Sequence, residues 1–171
     1  MTERPRPDEY AENFESYVQL VPEGDLLETL KQQIKETASL LNSLSEKDGE
    51  YRYAPNKWSL KEVLGHMADT EWIMNYRMLC IARGETVSLP GYDDELYVKA
   101  AAFNDHSLTD LIQHYTSIRQ ATVSLLNTLS YDVLKRRGAA NNEEVTARAL
   151  AFIIAGHELH HRNIIKDRYL K

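Results

Sequence analysis

The chain has 171 residues and a formal net charge of −6, a length that is most simply one domain with a real core and a balance that argues against a broad nucleic-acid-binding face. With seven glycines and five prolines, and without the β-branched and aromatic runs that announce strands, it reads as an almost entirely helical protein. A single cysteine, Cys80, excludes an intramolecular disulfide and a cysteine-rich zinc module.

In chain order, Met1 to Pro7 is polar and proline-rich and is expected to be poorly ordered. A short helix is expected from Asp8 to Tyr17. Asp25 caps a long amphipathic helix to about Ser45, in which Leu26, Leu27, Leu30, Ile34, Thr37, Leu41 and Leu44 keep helical spacing, and the turn Glu46-Lys47-Asp48-Gly49 ends it. Tyr51 to Trp58 is extended. Ser59 followed by Glu62 is a capping box that opens a second long helix, Leu60 to about Arg83, with Val63, Met67, Met74, Met78 and Ile81 on its apolar stripe. His66 lies roughly 90° from the centre of that stripe, facing a boundary or cleft. Cys80 falls in the same pattern as a small buried hydrophobe.

Residues 84–94 form an irregular stretch long enough to cover part of a site. Asp93 and Asp94 most simply cap a shorter helix from Glu95 to Phe103. Ser107 caps a third long helix carrying Leu108, Leu111, Ile112, Tyr115, Ile118, Thr122, Leu125 and Leu129. Between Asn127 and Glu143 a short helical turn and a loop around Gly138 are expected, and a last helix runs from about Glu144 to Arg168. Its apolar run, Ala147 to Gly156, is too short to span a bilayer, and Met1 to Asp25 has no apolar core of signal-peptide type, so the expected location is the cytosol.

The last helix carries His157-Glu158-Leu159-His160-His161. Histidines four residues apart share a helix face and can converge on one ion. His157 and His161 fall about 20° either side of the mean direction of the stripe formed by Leu150, Ile153, Ile154, Ile164 and Ile165, whereas His160 lies about 80° off it. Without further information, such a pair is equally a hydrogen-bonded core pair. The spacing also fits the H-E-x-x-H of zinc peptidases, with Glu158 as general base, but no third ligand follows downstream, which disfavours that reading. Four long amphipathic helices with one crossover read as a four-helix bundle, whose core is a common place for metal sites. His66 could meet the His157/His161 pair across it. Three neutral imidazoles would leave positions open for water or substrate, as in catalytic rather than closed structural zinc sites.

The residues Trp58-Ser59-Leu60-Lys61-Glu62-Val63-Leu64-Gly65-His66, then Asp69, Glu71 and Tyr76-Arg77, and finally Gly156-His157-Glu158-Leu159-His160-His161-Arg162 resemble the DinB/YfiT-like superfamily over nearly the whole chain. The resemblance implies an all-α four-helix bundle with a crossover and short extra helices, commonly dimeric. It makes His66, His157 and His161 the ligands of a divalent metal, zinc or nickel. Family members frequently continue as His-Arg-Gly-Gln-Ile where this chain has His161-Arg162-Asn163-Ile164-Ile165, a change in packing rather than in ligation.

Three functions fit that expectation. A metal-dependent hydrolase ranks first, a transferase of low-molecular-weight bacterial thiols second, and a non-catalytic metal-binding or stress-related dimer third, because a three-histidine ion can activate water or a thiol and polarise a carbonyl. A small-molecule substrate or thiol is the expected partner, with no nucleic acid and no membrane. A polar or basic mouth would favour thiol transfer, and a closed site would favour the non-catalytic protein. Asp69 could orient an imidazole or act as a base, or be a solvated charge. Glu71 and Arg77 read as an ordinary helix-surface interaction, Trp58 as a packing anchor at a helix start, and His106 and His114 as surface residues.

Overall fold

The protein's structure, a computed structural model, describes residues 3–170. Two 3-10 turns, Pro7–Glu9 and Glu12–Phe14, lead into α1 (Glu15–Leu20). Helix α2 (Leu26–Asn42) begins where the Asp25 side chain accepts from the Glu28 amide, and α3 (Glu46–Glu50) where Ser45 and Asp48 cap one another. The Ser59–Glu62 capping box starts α4 (Leu60–Ala82), Asp93 caps α5 (Asp94–Ala101), and Ser107 caps α6 (Leu108–Asn127). After α7 (Tyr131–Leu134) comes an antiparallel hairpin, β1 (Arg137–Ala140) and β2 (Glu143–Thr146), in which Arg137 opposes Thr146. Thr146 then caps α8 (Ala147–Ile164), which ends in a π-helical turn, Ile165–Tyr169. Each side-chain cap satisfies an amide that the helix leaves free, worth about 1 kcal/mol.

Three expectations need correction. The segment Glu46–Gly49 is not a plain turn, because Ser45 and Asp48 nucleate a short helix there and α2 stops at Asn42. The helix expected over Asp8 to Tyr17 is displaced to Glu15–Leu20, with 3-10 turns before it. Within the first segment, the Arg4 guanidinium donates to the carbonyls of Val18 and Val21, and Pro5 is buried; Met1 and Thr2 lie outside the described residues. Finally, the loop around Gly138 is the β-hairpin, and α8 starts at Ala147 rather than Glu144. Asn141 and Asn142 turn this hairpin with φ of 54° and 63°, the left-handed pair that a tight two-residue connection requires and asparagine tolerates. Leu89 joins the hairpin edge, its amide donating to the Ala139 carbonyl at 2.9 Å and its carbonyl accepting from Asn141 at 2.8 Å.

The bundle consists of α2, α4, α6 and α8. Helix α4 packs on α6 and α8, and α2 packs on the same two helices, so α2 and α4 lie on a diagonal, with α1 against α8. Buried apolar residues form two clusters, one holding Leu30, Met74, Leu126 and Ala155, the other Leu41, Met67, Ile118 and Ile165. On every long helix a buried polar stretch separates them: Gln33 and Thr37 on α2, Thr70 and Glu71 on α4, Arg119 and Thr122 on α6, His157 and Glu158 on α8. This layer is the level at which the candidate site is built. Among the described residues, no helix is long and apolar enough to cross a membrane.

Candidate metal centre

His66 lies two turns inside α4, downstream of the Ser59–Glu62 cap. A Cβ on the preceding Gly65 would overlap the Phe103 ring, so that ring seats directly on the helix backbone beside His66. On the other side the Trp58 ring centroid is 4.8 Å from the His66 ring, tilted at 46°. Trp58 is itself fixed, its indole N–H donating to Glu95 at 3.2 Å and its carbonyl accepting from the Tyr169 hydroxyl at 2.7 Å. It packs against the imidazole and thereby orients it.

His157 and His161 project from α8 on one face, and Gly156 admits the backbone of Tyr17 where a Cβ would overlap it. The Tyr17 ring then meets His157 edge-on, with centroids 5.5 Å apart. Across the α4–α8 contact, His66 Nε2 and His161 Nε2 each lie 3.1 Å from His157 Nε2. One ligating nitrogen from each of the three residues falls within 4.8 Å of the others. His66 and His157 are buried, and His161 partly so.

Burial lowers the basicity of all three. It brings His66 to about 4 against the pull of Asp94, brings His161 to about 3 with help from the neighbouring His66 and His160, and drives His157 well below the ordinary histidine range. At neutral pH all three are uncharged, the form that ligates metals. A neutral Nε2 offers either one proton or one in-plane lone pair, so His157 Nε2 cannot satisfy two imidazole nitrogens at once. A divalent ion about 2.0–2.1 Å from each nitrogen holds them roughly 3.3 Å apart in tetrahedral geometry, close to the 3.1 Å that separates His157 from each of the other two. The donor set therefore fits such an ion.

The other candidate residues stand apart from this convergence. His160 is half-buried, packed edge-on against Tyr17 at 5.2 Å and His161 at 5.1 Å. Glu158 points into the core, where it pairs with Arg119 and accepts from the Thr37 hydroxyl at 2.5 Å; at 1% exposure it is not available as the base of an H-E-x-x-H site. Asp69 is half-buried, its carboxyl held above the usual range by burial, opposed by His114; no hydrogen bond among the described residues ties it to a histidine. His106 and His114 are exposed, and Cys80 is partly buried against the core.

Glu71 and Arg77 are not a surface pair. Glu71 accepts two bonds from the fully buried Arg119, at 2.7 and 2.8 Å, while Arg77 is buried elsewhere and donates to the Pro90 carbonyl at 2.6 Å. Arg119 also reaches Tyr115 and Gln33, so one guanidinium ties all four long helices together one residue away from His157. Sequence reading passed over this group. Its signal was a set of polar residues, Gln33, Thr37, Glu71 and Arg119, at positions where an apolar stripe should continue.

A cavity of about 290 Å³ opens onto His66 and His157. Met74, Leu150 and Ile153 form apolar wall, and the exposed acids Asp94, Glu143 and Glu144 stand at its rim. The loop after α4 contributes Tyr92, whose hydroxyl is 2.7 Å from that of Thr70.

Three comparisons bear on this arrangement. The family model described as the DinB superfamily matches residues 29–165. A protein of Oceanobacillus iheyensis, provisionally named a metal-dependent hydrolase, is 26% identical over 141 residues, covering 82% of this chain and 79% of the relative. The solved structure of YfiT from Bacillus subtilis aligns with a TM-score of 0.72 at 18% identity, over 97% of this chain and 91% of that one; it is described as having an unusual four-helix bundle topology and, provisionally, metal-dependent hydrolase activity. The matched segment contains α4, α6, α8, all of α2 but its first three residues, and all three converging histidines, and on that footing the chain belongs to the DinB superfamily.

Proposed function

We propose that the protein is a metal-dependent hydrolase of small-molecule esters or amides, with His66, His157 and His161 as ligands of one zinc or nickel ion. The observation that carries this reading is the convergence of three neutral Nε2 atoms, two of whose imidazoles, His66 and His157, line an open cavity. When bound, a divalent ion in such a set supplies Lewis acidity, making water a better nucleophile near neutral pH and polarising an acyl oxygen. The chain's own residues do the rest. Met74, Leu150 and Ile153 seat an apolar portion of substrate and keep water from it. The Thr70–Tyr92 hydroxyl pair offers a hydrogen-bonding point on the same wall. Asp94 is the cavity carboxylate whose charge reaches His66, which makes it the residue placed to accept a proton.

The cavity's access to the histidines speaks against a closed, non-catalytic site. Its polar rim is compatible with a second reading, transfer of a small thiol. Both are tested by loading untagged protein with zinc or nickel and following p-nitrophenyl esters and anilides with and without added thiol. Turnover that is independent of thiol and abolished by chelation and by His161→Ala supports the hydrolase. Turnover only with thiol supports transfer. Hydrolysis that survives both chelation and His161→Ala would contradict the metal-dependent reading.

A further inference from the structure

Four arginines are buried among the described residues, and three have carboxylate partners: Arg119 with Glu71 and Glu158, Arg148 with Glu3 and Glu9, Arg162 with Glu36. Arg77 has none. It is 5% exposed, donates to the Pro90 carbonyl at 2.6 Å and more weakly to the Met74 sulfur at 3.8 Å, and lies against the Tyr92 ring. Its Nε is buried without a partner. A guanidinium has five N–H donors, so two bonds leave most of its fork unused. A buried cation left uncompensated is costly; burial also pulls the Arg77 guanidinium below its ordinary range, with only Tyr92 opposing.

Arg77 lines the same cavity as His66 and His157. His66, Thr70, Met74 and Arg77 succeed one another on one face of α4, and the eleven steps from His66 to Arg77 rise about 16.5 Å along the helix. A long side chain on a helix leans back toward the N-terminus, which brings the guanidinium toward the histidine end. Met74, Leu150 and Ile153 line the space between.

We infer that Arg77 is the binding residue for an anionic end group of the substrate, so that the cavity takes an ester or amide bearing a single carboxylate across an apolar chain from the reacting carbonyl. This deepens the hydrolase reading and rests on it for the identity of the reacting end. The Arg77–carboxylate contact supplies the missing counter-ion and uses the planar fork bidentately. The acids Asp94, Glu143 and Glu144 at the rim disfavour a second negative charge, which restricts the class to monoanions.

The test is calorimetric titration of metal-free protein with hexanoate and with uncharged hexanamide, in the wild type, Arg77→Gln and Arg77→Lys, with thermal unfolding of each variant to establish that it is folded. Omitting the metal separates this inference from the hydrolase reading, since carboxylate capture by Arg77 does not require the ion. Hexanoate is expected to bind the wild type about tenfold or more tightly than hexanamide. That preference should vanish in Arg77→Gln and persist in weakened form in Arg77→Lys. A folded wild type that binds neither compound, that does not prefer hexanoate, or whose preference survives in Arg77→Gln would overturn the inference. If hexanoate binds as expected while esters with that end group are not turned over by the metal-loaded protein, the failure belongs to the hydrolase reading alone.

Discussion

Replacing Arg119 by Met leaves Glu71 and Glu158, both nearly inaccessible to solvent, without their shared cation. Arg119 donates to Glu71 through two nitrogens, to Glu158 through a third, and also to Tyr115 and Gln33, so one substitution removes the centre of the polar layer. Removing one partner of a buried ion pair typically costs about 3–5 kcal/mol because the other charge is left buried and unpaired. In a chain of this size each kcal/mol shifts Tm by roughly 2–4 °C, so Arg119→Met should lower Tm by about 10 °C. The same physics makes the loss non-additive. In Arg119→Met/Glu71→Gln/Glu158→Gln no charge remains to be compensated, and most of the lost stability should return. Urea and thermal unfolding of the wild type and both variants measure this directly. A loss under about 1 kcal/mol for Arg119→Met, or a triple variant no more stable than the single one, would show that the buried carboxylates do not depend on Arg119 for compensation. Because Glu158 adjoins His157, metal affinity should fall in Arg119→Met as well.

Gly156→Ala forces its new methyl into the backbone of Tyr17, which cannot rotate away. A loss of about 1–3 kcal/mol is expected, read by thermal unfolding, together with displacement of Tyr17 from His157 visible in tyrosine fluorescence. The buried histidines set the acid response of the metal-free protein. Folding holds His66 at about 4 and His161 at about 3, below the value of about 6.5 for an unfolded histidine, so as pH falls below 6.5 the unfolded chain takes up protons that the folded one refuses. Stability contributed by these groups is therefore intact above that pH and declines as pH falls toward 4, by up to about 1.4 kcal/mol per pH unit for each. Urea midpoints measured across that window should slope less steeply in His66→Ala and His161→Ala than in the wild type.

Much of the fold was legible because its signals are local. Asp25, Ser59 and Ser107 are cap residues that stop a helix from extending backwards, and the apolar stripes of α2, α4 and α6 keep one period throughout. The hairpin escaped because its four-residue strands are too short for alternation to show, and only Asn141-Asn142 marks the turn. Ser45 and Asp48 carried a capping signal as plain as that at Ser59, but over a segment containing Gly49 it read as a turn. The pairing of His157 with His161 follows from helix geometry alone, whereas their approach to His66 depends on how α4 crosses α8, which no local pattern encodes. Burial of Arg77 was invisible for the same reason, and Glu71 and Arg119 showed only as polar residues interrupting an apolar stripe. Whether a charged residue on a helix faces solvent or a cavity is decided by its neighbours in space.

The proposed function stands on His66, His157 and His161 together holding one metal ion. Its most direct test is the metal content of untagged protein by inductively coupled plasma mass spectrometry, beside His66→Ala, His157→Ala, His160→Ala and His161→Ala. About one equivalent is expected in the wild type, lost at positions 66, 157 and 161 and retained at 160. A wild type that takes up neither zinc nor nickel, or a metal content unchanged by all four substitutions, would contradict it.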